Sequence, residues 1–246
     1  MKRIKCDIMY FFNNMPKLQL IYFNLRALCE APRMMMHRAG LEYSYEMAWD
    51  YYQKPWSEIK QNVIFQRLPL LIVDNKTEIW QSNAISRYIA KFTNNLPDNH
   101  EMAAYADAIF ESAHDLFFPL NPTINVFVGE NHLNHKKNLI DNILPKACNN
   151  FEKLLHKFKG NFFLGDRVFY CDFNVYHHLS LARLLKNTIL NNYPKLQEFM
   201  INFEALEGIK NYLDSRADLI GIGTWPKVII DGKEYTSGTN PNYKYL

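Results

Sequence analysis

Two short stretches carry residue types suited to holding an anionic small molecule: Leu68-Pro69-Leu70-Leu71-Ile72-Val73-Asp74 and Trp80-Gln81-Ser82-Asn83-Ala84-Ile85. Pro69 lacks a backbone N–H and biases Leu68 toward extended geometry, so the first stretch reads as a proline-led strand. An X-Pro bond is also where a cis peptide costs least, and a cis bond here would aim the Leu68 backbone groups sideways at a ligand. Ser82 stands where an N-cap belongs, with Ile85, Tyr88, Ile89 and Phe92 at helical spacing behind it. A helix N-terminus offers free N–H groups and partial positive charge. The corner between Leu68 and Ser82 therefore has the chemistry of a carboxylate site. An ordinary strand-turn-helix capped by a serine accounts for the same residues equally well.

Other reactive side chains are scattered. Cys6, Cys29, Cys148 and Cys171 are far apart, with no Cys-x-x-Cys and no zinc spacing, which fits free thiols in a reducing compartment. His132 and His135 fall in a polar loop, and His177 and His178 point to different faces of one helix, so no metal set is expected. Met34-Met35-Met36 reads as flexible core filling or part of an apolar pocket.

The 246 residues suffice for one large domain or two modest ones, and 48% hydrophobic with 15% aromatic residues can fill a core. A formal net charge of +3 argues for neither nucleic acid nor an anionic membrane. No apolar run has the length of a transmembrane helix. Residues 1–14 hold Lys2, Arg3 and Lys5 before the short apolar group Ile8-Met9-Tyr10-Phe11-Phe12. Asp7, Asn13 and Asn14 spoil a signal peptide, so this part is expected to be a frayed extension and the chain cytoplasmic.

The elements that must position the corner begin with Lys17–Phe23, an alternating run of strand formers. A helix is expected from about Leu28 to Ala39, with Pro32 tolerable only in its first turn and Gly40 as its stop. Tyr43–Met47 makes a second strand and Lys54–Lys60 a helical turn on a long loop. The Pro69 strand, a turn at Asp74-Asn75-Lys76, a short strand through Ile79 and the helix after Ser82 follow. This βαβ, loop, ββα order over residues 15–94 is thioredoxin-like. Asn94–Asn99 reads as a linker. Residues 102–217 then turn almost wholly helical: Met102–Phe118, broken near Pro119 and Pro122, then Lys136–Phe158, Cys171–Lys186 and two shorter helices. The expected fold class is thus α+β, a small sheet domain followed by an all-α bundle. In the tail, residues 218–246, Lys227–Tyr235 reads as a hairpin with an Asp-Gly turn.

Tyr22-Phe23-Asn24-Leu25-Arg26, Trp56 with Lys60, Arg67-Leu68-Pro69 and Gln81-Ser82-Asn83-Ala84-Ile85 together resemble the glutathione-site motifs of cytosolic glutathione S-transferases. Gly165-Asp166-Arg167-Val168 with Asp172, and Asn202–Leu206 through Tyr212, extend the resemblance over roughly residues 15–217. The opening is similar to the sigma class, and the later motifs lean toward mu.

The resemblance implies a homodimeric, cytosolic detoxifying enzyme that uses glutathione as co-substrate, needs no metal, and acts on small hydrophobic electrophiles. Tyr22 matches the tyrosine whose phenol hydrogen-bonds the thiolate; a buried tyrosine satisfying a backbone group is the plainer alternative. Leu68 matches the residue whose backbone pairs with the cysteinyl part of glutathione, with Pro69 as the cis proline. Gln81 and Ser82 match the holders of the γ-glutamyl carboxylate. Trp56 and Lys60 match residues toward the glycine end, and Arg67 falls where relatives carry a polar or basic residue; solvated surface charge is the alternative for Lys60 and Arg67. Asp115 matches an acid that reaches across the dimer, whereas Asp107 fits a structural place. Phe65 is either an aromatic key inserted into the partner or ordinary core. The acceptor pocket is expected from Phe23, Leu28 and Phe117, with Trp225 of the tail as a further candidate.

Several positions depart from the family pattern. Ala27 replaces a usual glycine, so the local backbone is expected to differ. Leu28 stands where sigma-type prostaglandin isomerases carry arginine, which speaks against that isomerisation. Phe169 replaces a capping Ser or Thr, a loss of about 1 kcal/mol. Two rival functions remain. Cys29, in the first turn of a helix, is a possible nucleophile of a thiol reductase. The same scaffold also suits a non-catalytic ligand carrier or structural protein.

Overall fold

The computed structural model describes residues 15–237. The extension expected over residues 1–14 lies outside them, as does the chain from 238 onward. Strand β1 (Leu18–Tyr22) forms the axis of the first sheet, because nearly all its side chains are apolar and buried. It runs parallel to β2 (Tyr43–Met47), in register from Leu18 opposite Tyr43, and antiparallel to β3 (Leu70–Val73). Strand β4 (Thr77–Trp80) closes the order β2-β1-β3-β4. All four residues of β3 are buried, as a strand covered on both faces requires, and each such side chain contributes roughly 1.5–3 kcal/mol.

Between the first two strands runs α1 (Glu30–Arg38), with Pro32 in its first turn as expected. A short helix absent from the sequence reading, α2 (Ala48–Tyr52), follows β2 directly, seated by the buried Ala48 and Trp49. Helix α3 (Trp56–Ile59) matches the expected turn. The expectation for Ser82 is corrected by one position. Gln81, at φ 71°, is the N-cap of α4 (Ser82–Phe92), and Ser82 is its first helical residue, with no side-chain cap. Ala27 requires no left-handed backbone, so alanine is accommodated where glycine was expected.

The segment Asn94–Asn99 does not behave as a free linker. Asn95 is buried, donates to the Val168 carbonyl at 3.0 Å and accepts the Tyr170 N–H at 3.0 Å. Arg167 reaches Asn94 Oδ1 at 2.7 Å and Asp98 at 2.9 Å. Polarity in that stretch reflects partners on a later loop rather than solvent.

Helix α5 (His100–His114) is capped by Asn99, whose side chain accepts the Met102 N–H. It ends before the prolines, not at them: the break falls at Asp115-Leu116, and α6 (Phe117–Asn125) takes Pro119 into its first turn and Pro122 into its interior. Helices α7 (Gly129–Asn138) and α8 (Leu144–Phe158) are joined by one wide π turn at Leu139–Ile143. Helix α9 (Tyr170–Leu185) is the centre of the molecule, with 13 of its 16 residues buried and with α1, α4, α5 and α6 packed around it. Helices α10 (Pro194–Glu204) and α11 (Ile209–Ser215) complete the bundle. The tail forms the expected hairpin, β6 (Lys227–Ile230) and β7 (Lys233–Thr236), through left-handed Asp231 and Gly232. A third strand, β5 (Asp218–Ile220), joins it.

Two buried carboxylates tie these parts together. Glu30, wholly buried at the start of α1, accepts from Arg216 at 2.9 Å and from the Tyr212 hydroxyl at 3.0 Å. Asp172 accepts the Phe169 N–H at 2.7 Å and the Phe163 N–H at 2.9 Å. Phe169 has no side-chain acceptor, so only half of the reciprocal cap is made. Substituting Asp172→Ala orphans both amides and should lower unfolding free energy by about 2–5 kcal/mol. Denaturant titration reads this as a lower midpoint at constant slope, and an unmoved midpoint rejects the capping role.

Candidate active site

The site grows out of the C-terminal end of β1. Tyr22 is buried, and its phenol oxygen accepts the Leu28 N–H at 3.3 Å. With that acceptor position filled, the hydroxyl proton is left to donate. Burial, with the nearby Cys29 thiol, pushes the Tyr22 phenol far above its ordinary range, so it stays protonated at any physiological pH. The loop that supplies the Leu28 N–H is held at both ends. Tyr45 Oη donates to the Phe23 carbonyl at 2.7 Å, and Arg26 Nε donates to the Ala217 carbonyl at 3.0 Å.

A cavity of about 300 Å³ opens beside Tyr22. It gathers nine of the expected residues: Tyr22, Phe23, Leu28, Trp56, Lys60, Arg67, Leu68, Gln81 and Phe117. Trp56 stands edge-on to Phe23, ring centres 5.3 Å apart, which fixes the wall nearest Lys60. The Leu68–Pro69 peptide is cis, as the sequence suggested, and the Leu68 N–H and carbonyl have no backbone partner among the described residues. Lys60 and Arg67 are exposed, and neither is ion-paired among the described residues. Gln81 lies at the N-terminus of α4, where the helix presents unpaired amides. The arrangement can hold a small extended molecule with negatively charged ends and one polarisable group beside a phenol.

Other expected residues lie elsewhere. Pro69 and Ser82 flank the cavity without lining it, and Asp115, which is exposed, does not line it either. Trp225 does not join the pocket, a correction to the sequence reading: it is 61% exposed on the tail, which packs on the α6–α7 corner through Gly129 and Gly223. Phe65 is not core, being 60% exposed with a left-handed φ of 61°. Asp107 has the structural place expected of it, paired with Arg87 and the Tyr170 hydroxyl. His132 spends Nδ1 on the Thr123 carbonyl, and no group of three metal-binding side chains occurs among the described residues.

Leu25, Gln66, His114, Phe118 and Asn121 line the cavity and went unrecognised in the sequence. Helical spacing from Phe117 would have found Asn121, and adjacency to Asp115 would have found His114. Cys29 is the opposite case. It is fully buried, and burial raises its thiol well above the ordinary value, whereas a nucleophilic cysteine requires a lowered one.

Comparison with known proteins resolves what such a site belongs to. Residues 18–91 match the model of the glutathione S-transferase N-terminal domain, and residues 114–216 that of its C-terminal domain. Glutathione S-transferase 4 of Caenorhabditis elegans is 34% identical, covering 84% of this chain and all of that protein.

The chain belongs to the glutathione S-transferase family.

Glutathione S-transferase Mu 5 of Mus musculus is 32% identical over 79% of this chain and 87% of its own. Among solved structures, the Pi-class glutathione S-transferase of Onchocerca volvulus superposes with a TM-score of 0.71. That likeness carries 28% identity and covers 81% of this chain and 93% of the other. Relatives thus carry Mu and Pi designations, and the sheet-then-bundle architecture is the family's. For this member, Cys29 should react with a maleimide only after unfolding, and Cys29→Ala should leave glutathione conjugation within roughly threefold. Peptide mass mapping of the native chain tests the first, and labelling of Cys29 without unfolding would contradict the burial argument.

Proposed function

We propose that this chain is a cytosolic, homodimeric transferase that ionises the glutathione thiol and conjugates it to small hydrophobic electrophiles. The observation that carries this reading is the Tyr22 phenol: kept protonated by burial, oriented by the Leu28 N–H, and facing a cavity that also presents the Leu68 backbone. A free thiol ionises near pH ~8.5, so most of it is unreactive at neutral pH. A phenol donating to the sulfur favours the anion and lowers that value.

Glutathione fits the remaining groups. Its cysteinyl amide and carbonyl suit the Leu68 backbone, its γ-glutamyl carboxylate suits Gln81, Ser82 and the amides opening α4, and its glycine carboxylate suits Lys60 with Trp56 beside it. Arg67 adds positive charge at the same mouth. The acceptor then lies over Phe23, Leu28 and Phe117, where the thiolate attacks an electrophilic carbon. Asp115 is assigned to the partner's glutathione amino group and Phe65 to the partner's surface. Both are exposed and each is next in sequence to a cavity-lining residue, His114 and Gln66, which supports both roles on a chain whose family is generally dimeric. Among the described residues no helix is long and apolar enough to cross a membrane.

Tyr22→Phe should lower kcat/KM for conjugation roughly 10- to 100-fold, the loss of one hydrogen bond to an anion, while glutathione affinity changes little. Equal losses in rate and affinity would point to a carrier instead. In the wild type the rate should climb with pH as the bound thiol ionises and then level off, with no fall from Tyr22 deprotonation, because that phenol titrates far higher. In the variant the inflection should move up toward about 8.5, where an unassisted thiol ionises. Stopped-flow rates and thiolate absorbance across pH measure both.

A further inference from the structure

Of the titratable side chains lining the cavity, Tyr22 is assigned to the thiol and Lys60 and Arg67 to the carboxylate end, which leaves His114 without a role. His114 ends α5 and shares the cavity with Tyr22, Leu28 and Phe117. Its ring stacks on Phe117 at 5.7 Å and 6°, lies against Phe110 at 6.4 Å, and meets Phe118 edge-on at 6.1 Å. Three aromatic neighbours therefore fix the imidazole plane. Neither ring nitrogen has a hydrogen-bond partner among the described residues; Nδ1 is buried, and Nε2 is the nitrogen left accessible. An oriented polar group with unspent capacity, set in an aromatic wall, is suited to a ligand rather than to packing alone.

Charges around the ring act in both directions. Glu111 and Asp115 favour its cation, Arg67 opposes it, and His178 faces it from α9. Burial is the largest influence and lowers its pKa below the ordinary histidine value, which favours a neutral imidazole at neutral pH. A neutral imidazole still donates one N–H, and such a donor can polarise a carbonyl without transferring its proton.

We propose that His114 is a second catalytic residue, donating a hydrogen bond from Nε2 to the carbonyl oxygen of an α,β-unsaturated aldehyde or ketone acceptor. This rests on the transferase reading above and names the acceptor class that this site favours. The thiolate forms a C–S bond at the β-carbon, the alkene pair shifts toward the carbonyl, and the carbonyl pair moves onto oxygen as an enolate. The Nε2–H stabilises that oxygen while the charge develops. Water then protonates the α-carbon, and the hydroxide produced takes up the proton released when the thiol ionised, so nothing leaves and the reaction is a net addition. Phe23, Leu28 and Phe118 line the same cavity and suit an alkyl chain behind the carbonyl.

The test compares a medium-chain conjugated enal with a chlorodinitrobenzene, which has no carbonyl and expels chloride. His114→Phe keeps a flat ring in the stack but removes the donor. It should lower the enal-to-arene ratio of kcat/KM about 10-fold or more, mainly through kcat, and His114→Gln, which retains an N–H, should recover part of the ratio. A ratio unchanged within about twofold in His114→Phe, or a change confined to KM, overturns the proposal. A wild-type chain that conjugates the arene but not the enal overturns it too, while leaving the transferase reading intact. A wild-type chain that conjugates neither removes that reading, and this one with it.

Discussion

One hydrogen bond sets the polarity of everything around it: the Leu28 N–H donates to the Tyr22 oxygen and so turns the phenol into a donor with a fixed heading. For that bond to form, β1 must end where the chain bends back, and the bend must keep its shape. Tyr45 restrains it from the edge strand, and Arg26, within the bend itself, does so by donating to the Ala217 carbonyl just past the last helix of the bundle. The buried Glu30 next to this bend accepts from Arg216 and Tyr212 and so fastens α1 to α11. A carboxylate removed from water is costly unless paired, so the pairing holds α1 and α11 together. The bundle is therefore part of the machinery that holds the phenol, even though β1 carries it.

The cavity follows from the same geometry. The sheet half gives the polar or backbone contacts of Tyr22, Leu68 and Gln81 with Phe23 and Leu28 beside them, and the bundle faces these with Phe117, Phe118 and His114, which are aromatic. One side can hold a peptide-like co-substrate, and the other can accept varied apolar shapes. That division explains how a fixed nucleophile can meet many electrophiles: only the aromatic half has to differ from one family member to another.

The fold was largely legible because the chain's periods are clean. Leu18–Tyr22 and Leu70–Val73 are short apolar strands flanked by turn residues, and Cys171–Leu185 is apolar around most of its circumference. Misreadings arose where tertiary partners overrode local rules. Asn94–Asn99 looked like a linker because its hydrogen-bond partners sit more than sixty residues away. The break after His114 precedes the prolines that seemed to cause it, since proline is admitted within the opening turns of the next helix. Ser82 looked like a cap because a glutamine at positive φ is not expected to end an extended segment. At the site, residues belonging to contiguous motifs could be found, whereas Trp225 failed because nothing local specifies where the segment after the last helix will pack.

The welded junction around Asn95 bears on how molecules come and go. Spreading the sheet half from the helical half would break the Asn95 amide, Tyr170 N–H and Arg167 hydrogen bonds together, and the first two are buried. Traffic through the cleft must then rely on small rearrangements at its rim, where Phe118 and Gln66 are exposed, rather than on a clamshell opening. Rim side chains clear such a doorway on the nanosecond scale, so entry and exit need no slow swinging of the two halves, and the chemistry at the sulfur is left to set the pace.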